Sequence, residues 1–151
     1  MTSLRDLVQE ARATSDYRAL IEAIPYARFL GFSFEPREGE LLGRMAFAQH
    51  VVGNARVGAL HGGALGALME LTGAFAVLHE AEALTVPKTI NITVEYLRQA
   101  HFEDTYCRAE LVRKGRRVVN VRLTAWQSDE KKPVTAAVAH YLIDPGETTA
   151  G

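Results

Sequence analysis

Apolar residues along the first part of the chain recur at helical spacing. Leu4, Leu7, Val8 and Ala11 form one stripe and Tyr17, Leu20, Ile21 and Ile24 a second, with Thr14-Ser15-Asp16 breaking the run between them. Ser3 followed by Asp6 has the form of a weak capping box, and Pro25 is expected to stop the run. Residues 1–25 therefore read as an amphipathic helix that packs on the rest of the fold and carries no chemistry. From Phe29 to Val52 the pattern changes: Phe29–Glu35 and Leu41–Ala48 flank the turn cluster Pro36-Arg37-Glu38-Gly39, which predicts a hairpin. A helix that is apolar nearly all round is expected from about Leu60 to Glu80. Four β-type runs follow, Thr89–Leu97, Thr105–Arg113, Arg117–Gln127 and Val134–Ile143, with polar or Gly/Pro-bearing breaks between them.

A helix without a polar face must be buried on most sides. One antiparallel sheet of five or six strands curled around it is the simplest α+β arrangement for this order of elements. No repeat, linker or low-complexity tract divides the chain, so residues 1–151 read as a single domain. A sheet edge and the glycine-rich face of the helix are left over, and a second subunit is expected to cover them.

Composition narrows the function. The 151 residues are 48% hydrophobic and 23% charged, near the globular average, and the formal net charge of −1 offers no positive field for a nucleic acid. The single cysteine, Cys107, forms no internal disulfide and reads as a buried small hydrophobe, and no Cys/His spacing suits a metal. The amino terminus mixes charges among its apolar residues, unlike a signal peptide. Val57–Leu78 is apolar and about long enough to span a bilayer, but it carries His61 and Glu70, and a carboxylate at mid-bilayer is costly. A cytoplasmic protein bound to neither membrane nor nucleic acid is expected.

The candidate chemistry lies in His61–Gly73. Glycine costs a helix interior about 0.5–1 kcal/mol relative to alanine, so Gly62, Gly63 and Gly66 at a helix start want a reason. One is close approach of a ligand to the amino-terminal N–H groups, which lack intrahelical partners and can polarise a carbonyl. The other is that Gly62 and Gly66, four apart, let two helices touch. Glu70 and Thr72 are the only polar side chains between Gly62 and Leu78. A carboxylate in such a helix is either a general base or nucleophile, or a structural partner of an arginine such as Arg98 or Arg122. Glu70 lies eight residues after Gly62, roughly 12 Å along a helix. The two cannot reach one carbonyl carbon within a straight helix, but two helices antiparallel across a two-fold axis can bring them together.

This helix resembles the signature of hotdog-fold acyl-CoA thioesterases, in particular the phenylacetate-pathway (PaaI-like) branch. There a His-Gly-Gly opens the central helix and an Asp or Glu follows nine residues after the His, as His61 and Glu70 do here. The resemblance extends over roughly 29–143, including Thr89–Arg98 after the helix and the turn Arg113-Lys114-Gly115-Arg116-Arg117. It implies a hotdog fold and a dimer or dimer of dimers. It further implies that the Gly62 amide polarises a thioester carbonyl and that Glu70 of the partner chain activates water or attacks directly. Thr89 assists Glu70, His61 orients the helix start, and Gly63, Arg113, Lys114 and Arg116 help bind coenzyme A, which enters only as part of the substrate. No cofactor is implied. Two positions depart from the pattern: the Asn or Gln often found six residues before the His is Ala55, with Asn54 beside it as a candidate substitute, and the usual Pro after Leu97-Arg98 is Gln99.

Two other functions fit the same fold. A hotdog hydratase would pair an acid with a histidine, and the histidine nearest Glu70 along the helix in the C-terminal direction is His79, nine residues on. A non-catalytic acyl-CoA-binding module would share the pocket without turnover. His50, His101 and His140 read as ordinary surface or strand residues, and Trp126 and Tyr96 as sheet packing.

Overall fold

The computed structural model describes residues 1–81 and 83–144; residues 145–151, the end of the expected domain, lie outside it. The amino-terminal segment is three short helices, the first two parted at the expected break after Thr14. The first, α1 (Leu4–Thr14), starts on a complete capping box between Ser3 and Asp6 and ends on Ser15 in the left-handed region, φ 58°. α2 (Arg18–Ala23) follows. The run stops before Pro25 as expected, at Ala23, and the proline then opens α3 (Pro25–Leu30). A proline has no N–H to lose at the first helical position and its fixed φ suits the helix. Phe29 accordingly belongs to α3 and the sheet begins at Phe32.

β1 (Phe32–Arg37) and β2 (Glu40–Met45) form the expected hairpin, with a tighter turn than the cluster Pro36–Gly39 implied. Only Glu38 and Gly39 turn, at φ 51° and 80°, the pair of positive φ values that a two-residue hairpin loop uses. Pro36 stays in β1 opposite Leu41, which costs nothing because β1 is an edge strand. A 3₁₀ turn (Gln49–Val51) leads into a small ribbon, β3 (Val52–Asn54) with β4 (Ala59–Leu60), which short polar runs did not predict.

α4 (Gly62–Glu80) carries the central apolar run. β5 (Lys88–Tyr96), β6 (Thr105–Lys114), β7 (Val118–Trp126) and β8 (Thr135–Leu142) match the four runs within two residues at each end. The six long strands make one antiparallel sheet in the order β1-β2-β6-β7-β8-β5. α4 lies across it, touching β2, β6, β7, β8 and β5. This is the α+β hotdog arrangement. Alternating residues of β7 and β8 (Val119, Val121, Leu123; Ala137, Ala139, Tyr141) are buried against Leu65, Leu68, Met69 and Phe75 of the helix. Length and apolar composition alone would let α4 cross a membrane; here it is the core helix of the sheet. Cys107 is fully buried, and burial pushes its thiol up to about 12.

Two contacts fix how α4 lies. β2 passes so close that a Cβ on Gly43 would sit 2.0 Å from Thr72 Oγ1. On β8, Tyr141 fills the space that a side chain at residue 73 would need: a Cβ on Gly73 would sit 2.2 Å from its hydroxyl.

Candidate active site

The start of α4 is built by backbone contact. The His61 N–H donates to the Val51 carbonyl at 2.8 Å, and a Cβ on Gly53 would come within 2.7 Å of His61 Cα, so β3 must be glycine there. His61 is the N-cap: its Nδ1 accepts the Gly63 N–H at 2.9 Å, and a Cβ at Gly63 would crowd that ring. The Gly62 N–H makes no hydrogen bond among the described residues.

Within one chain, the nearest neighbour of Gly62 is an aromatic ring. A Cβ there would lie 3.1 Å from Tyr96 Cε1. The Tyr96 hydroxyl donates to the Gly62 carbonyl at 2.8 Å, with the ring 56% exposed at the end of edge strand β5. Tyr96 is therefore not sheet packing; it holds the first turn of α4. Trp126, by contrast, is buried in the sheet, with the Arg108 guanidinium 4.9 Å over its ring.

Glu70 is exposed in the single chain, contrary to the burial that its apolar neighbours implied. It projects on the side of α4 that carries Gly62, Gly63 and Gly66, where small residues leave the helix open. No arginine pairs with it among the described residues; Arg98 donates instead to the Pro133 carbonyl. Thr89 Oγ1 donates to Glu70 Oε1 at 3.1 Å, and the Tyr141 hydroxyl donates to the Glu70 carbonyl at 2.8 Å. Thr89 and Tyr141 are cross-strand partners, so neighbouring strands grip the side chain and the backbone of one residue. The register shifts between Thr89 and Asn91, a bulge of the kind that re-aims side chains at functional sites. Burial, then the Glu70 charge, raises the Tyr141 phenol above its ordinary value, so it stays protonated as a donor.

The remaining candidates lie apart. Asn54 is exposed on β3, its Oδ1 accepting the Arg56 N–H at 3.1 Å, and it makes no hydrogen bond to Gly62 or Glu70. Arg113 and Lys114 end β6, and Arg116 follows in the turn; Lys114 Nζ donates to the Glu80 carbonyl at 3.4 Å. The basic turn thus sits at the carboxyl-terminal end of α4, ten residues or roughly 15 Å beyond Glu70. His79 is on the opposite side of the helix from Glu70, two and a half turns on, and is hydrogen-bonded to Tyr17. Among the described residues no three His, Cys, Asp or Glu side chains gather closely enough to hold a metal.

Sequence reasoning singled out Glu70, Gly62 and Thr89 but missed Tyr96, Tyr141 and Gly53, because a strand tyrosine or a loop glycine carries no mark of what it will touch. Residues 57–134 match the family model described as the thioesterase superfamily. Among solved structures, a protein from Chromobacterium violaceum is 32% identical, covering 93% of this chain and 98% of its own, with a TM-score of 0.74. A phenylacetic acid degradation-related protein from Ralstonia eutropha is 29% identical over 79% of this chain and 89% of its own, TM-score 0.69. A thioesterase protein from Streptococcus pneumoniae, solved with coenzyme A, shares the fold at 19% identity, TM-score 0.64, over 76% of this chain and 90% of its own. No curated protein matches the sequence.

Proposed function

Because the chain belongs to the thioesterase superfamily, we propose that it hydrolyses an acyl-CoA thioester to the free acid and coenzyme A at a site shared by two subunits. The observation that carries this reading is a single open stripe of α4 bearing two complementary groups. At its start is the Gly62 N–H with no partner among the described residues, and two turns on is the Glu70 carboxylate, steadied by Thr89. A helix-terminal N–H suits the oxygen of a thioester carbonyl, which gains negative charge as the carbon is attacked. A carboxylate suits removal of a proton from the attacking water.

In the reaction, Glu70 takes a proton from water as its oxygen bonds to the carbonyl carbon, and Gly62 of the other subunit stabilises the oxyanion. Collapse breaks the C–S bond, and the thiolate leaves and takes up a proton. Direct attack by Glu70, followed by hydrolysis of the resulting anhydride, uses the same groups. Eight residues separate Gly62 from Glu70, so the two serve one carbonyl only between antiparallel copies of α4. Edge strand β5 supports that assembly: it has a neighbour on one side only, and Ile90 and Tyr96 are exposed along it, with Leu97 exposed just past its end. The basic residues Arg113, Lys114 and Arg116 are assigned to the nucleotide phosphates. A hydratase would need His61 of the other subunit beside Glu70, because His79 faces away from that carboxylate.

The test is hydrolysis of short, long and aromatic acyl-CoA esters followed by release of free thiol. Glu70→Gln keeps the shape and removes the base, and should lower kcat by about 10²–10⁴ on the best substrate. Near-parental turnover by the folded variant would overturn the assignment.

A further inference from the structure

A space lies on the far side of α4, with the link between α1 and α2 forming one wall. Tyr17, in the link between α1 and α2, is 3% exposed, and its hydroxyl is hydrogen-bonded to His79 Nδ1. Beneath this pair lies a cavity of about 330 Å³, walled by Phe34 and Leu41 of the β1–β2 hairpin, Phe75 and Ala76 of α4, and Ala109 of β6. Its rings meet at angles: Tyr17 and Phe75 lie edge-on with centroids 5.8 Å apart, and Phe34 and Phe75 at 5.3 Å and 89°. His79 is nine residues past Glu70, so cavity and carboxylate occupy opposite sides of the helix. Tyr17, Phe34 and Leu41 also precede the stretch matched by the family model.

We propose that this cavity is a second small-molecule site, separate from the Glu70 surface, and that it takes a neutral aromatic compound of one or two rings bearing a single O–H or N–H. The volume argues for the size: an apolar cavity of about 150 Å³ accepts benzene, and small-molecule pockets begin near 300 Å³. Angled aromatic walls favour a ring over a flexible chain, because edge and face contacts are both on offer. Polar groups enter the lining at Tyr17, His79, Thr72, Glu40 and Glu80. Whichever of Tyr17 and His79 Nδ1 donates in their hydrogen bond, the phenol oxygen keeps a lone pair that accepts from a ligand donor; burial pushes Tyr17 up to about 12, so it remains a phenol at neutral pH. Thr72 has no proton to offer, since it donates to the Leu68 carbonyl at 2.7 Å, so like Tyr17 it favours a ligand that brings the donor. Glu40 and Glu80 also line the cavity, Glu40 being paired with Arg108 at 2.7 Å; no lysine or arginine is among the lining residues, so a carboxylate would enter without a cationic partner. The site does not depend on the hydrolytic reading of Glu70.

Indole is the probe, titrated into the full chain by calorimetry and by NMR. The expected result is saturable one-to-one binding, with nuclear Overhauser contacts from indole protons to the Ala76 and Ala109 methyl groups. Ala76→Leu and Ala109→Leu each fill the space and should weaken indole at least tenfold, with circular dichroism unchanged in whichever variants fold. Tyr17→Phe should weaken indole more than naphthalene, which has no donor. Saturating coenzyme A should leave indole binding unchanged. The proposal is overturned if indole shows no saturable binding, if the methyl contacts are absent, or if folded cavity-filled variants bind like the parent. It fails equally if phenylacetate binds as well as indole, or if coenzyme A competes with it, which would assign the cavity to the thioester site.

Discussion

Replacing Gly73 by alanine sets helix propensity against packing, and the structure says which wins. Propensity alone favours alanine in a helix interior by about 1 kcal/mol. The new Cβ, however, would lie 2.2 Å from the Tyr141 hydroxyl, 2.8 Å from Cζ and 3.0 Å from Cε2. Tyr141 is fully buried, so its ring has no free space to move into. Overpacking of a filled core costs about 1–3 kcal/mol. Displacing the hydroxyl from the Glu70 carbonyl removes a hydrogen bond worth about 0.5–1.5 kcal/mol. Set against the propensity gain, these leave a net loss of about 0.5–3.5 kcal/mol. At about 2 kcal/mol the Tm of a domain this size falls by about 4–8 °C. Thermal and urea unfolding followed by circular dichroism measure it. The decisive measurement is the double variant. Tyr141→Phe removes the oxygen at 2.2 Å, and the Glu70 carbonyl keeps its intrahelical N–H partner, so Gly73→Ala/Tyr141→Phe should recover about 1 kcal/mol relative to strict additivity. A stabilised Gly73→Ala, or two effects that simply add, would show that Tyr141 does not occupy the residue 73 space.

Thr89→Val should lower kcat by up to about tenfold with KM little changed, because it deletes the 3.1 Å bond to Glu70 Oε1, and Thr89→Ser should restore most of the rate; equal losses in both variants would remove the hydroxyl from the argument. Glu70→Gln and Gly62→Pro, each inactive alone, should regain up to about a quarter of parental activity when subunits are exchanged, since half of randomly formed dimers are mixed and each holds one intact site; sizing and circular dichroism establish that both fold, and no recovery would refute the shared site. Asp104 is held below the ordinary carboxylate range by the Phe47 N–H at 2.8 Å and, after an opposing effect of burial, by the Arg44 guanidinium at 2.5 Å. A depressed folded value means that its contribution is complete above the unfolded value near 3.8 and is lost as pH falls through the folded one. Urea stability should therefore fall less steeply below pH 4 in Asp104→Asn than in the parent, and identical slopes would exclude the effect.

What could be read in the sequence follows from which physical signal each element carries. β7 and β8 declared themselves because one face of each is buried against α4, which forces strict alternation in Val119, Val121, Leu123 and in Ala137, Ala139, Tyr141. α4 declared itself by being apolar on nearly every side. Pro25 was read in half: Ile24 before it is extended at φ −101°, ψ 103° and ends α2, as expected, but the same proline also begins α3, which no pattern before it announced. The ribbon β3–β4 escaped notice because two and three residues are too few for any period to show.

The site shows the same division between signals that are local and those that arise only on folding. Glu70 stood out as an acid in an apolar helix, yet that composition argued for burial, and the single chain leaves it exposed. The resolution lies in the glycines: Gly62, Gly63 and Gly66 strip side chains from the one side of α4 that the sheet does not cover. Each pays a helix-propensity cost of about 1 kcal/mol, and each has a steric reason of its own or an open surface to serve. At Gly62 that reason is the Tyr96 ring, at Gly63 the His61 cap, and at Gly66 the nearest atoms stand off at 3.9 and 4.0 Å, ordinary contact that an alanine would satisfy. Gly66 is therefore the one glycine of the three that nothing among the described residues requires. If a second copy of α4 packs on this stripe, Gly66→Ala should weaken subunit association while leaving the monomer fold and its secondary structure intact. Sedimentation velocity across a dilution series reads this directly. A variant that associates as tightly as the parent would place the subunit contact on another surface and remove the reason for bringing Gly62 of one chain to Glu70 of the next.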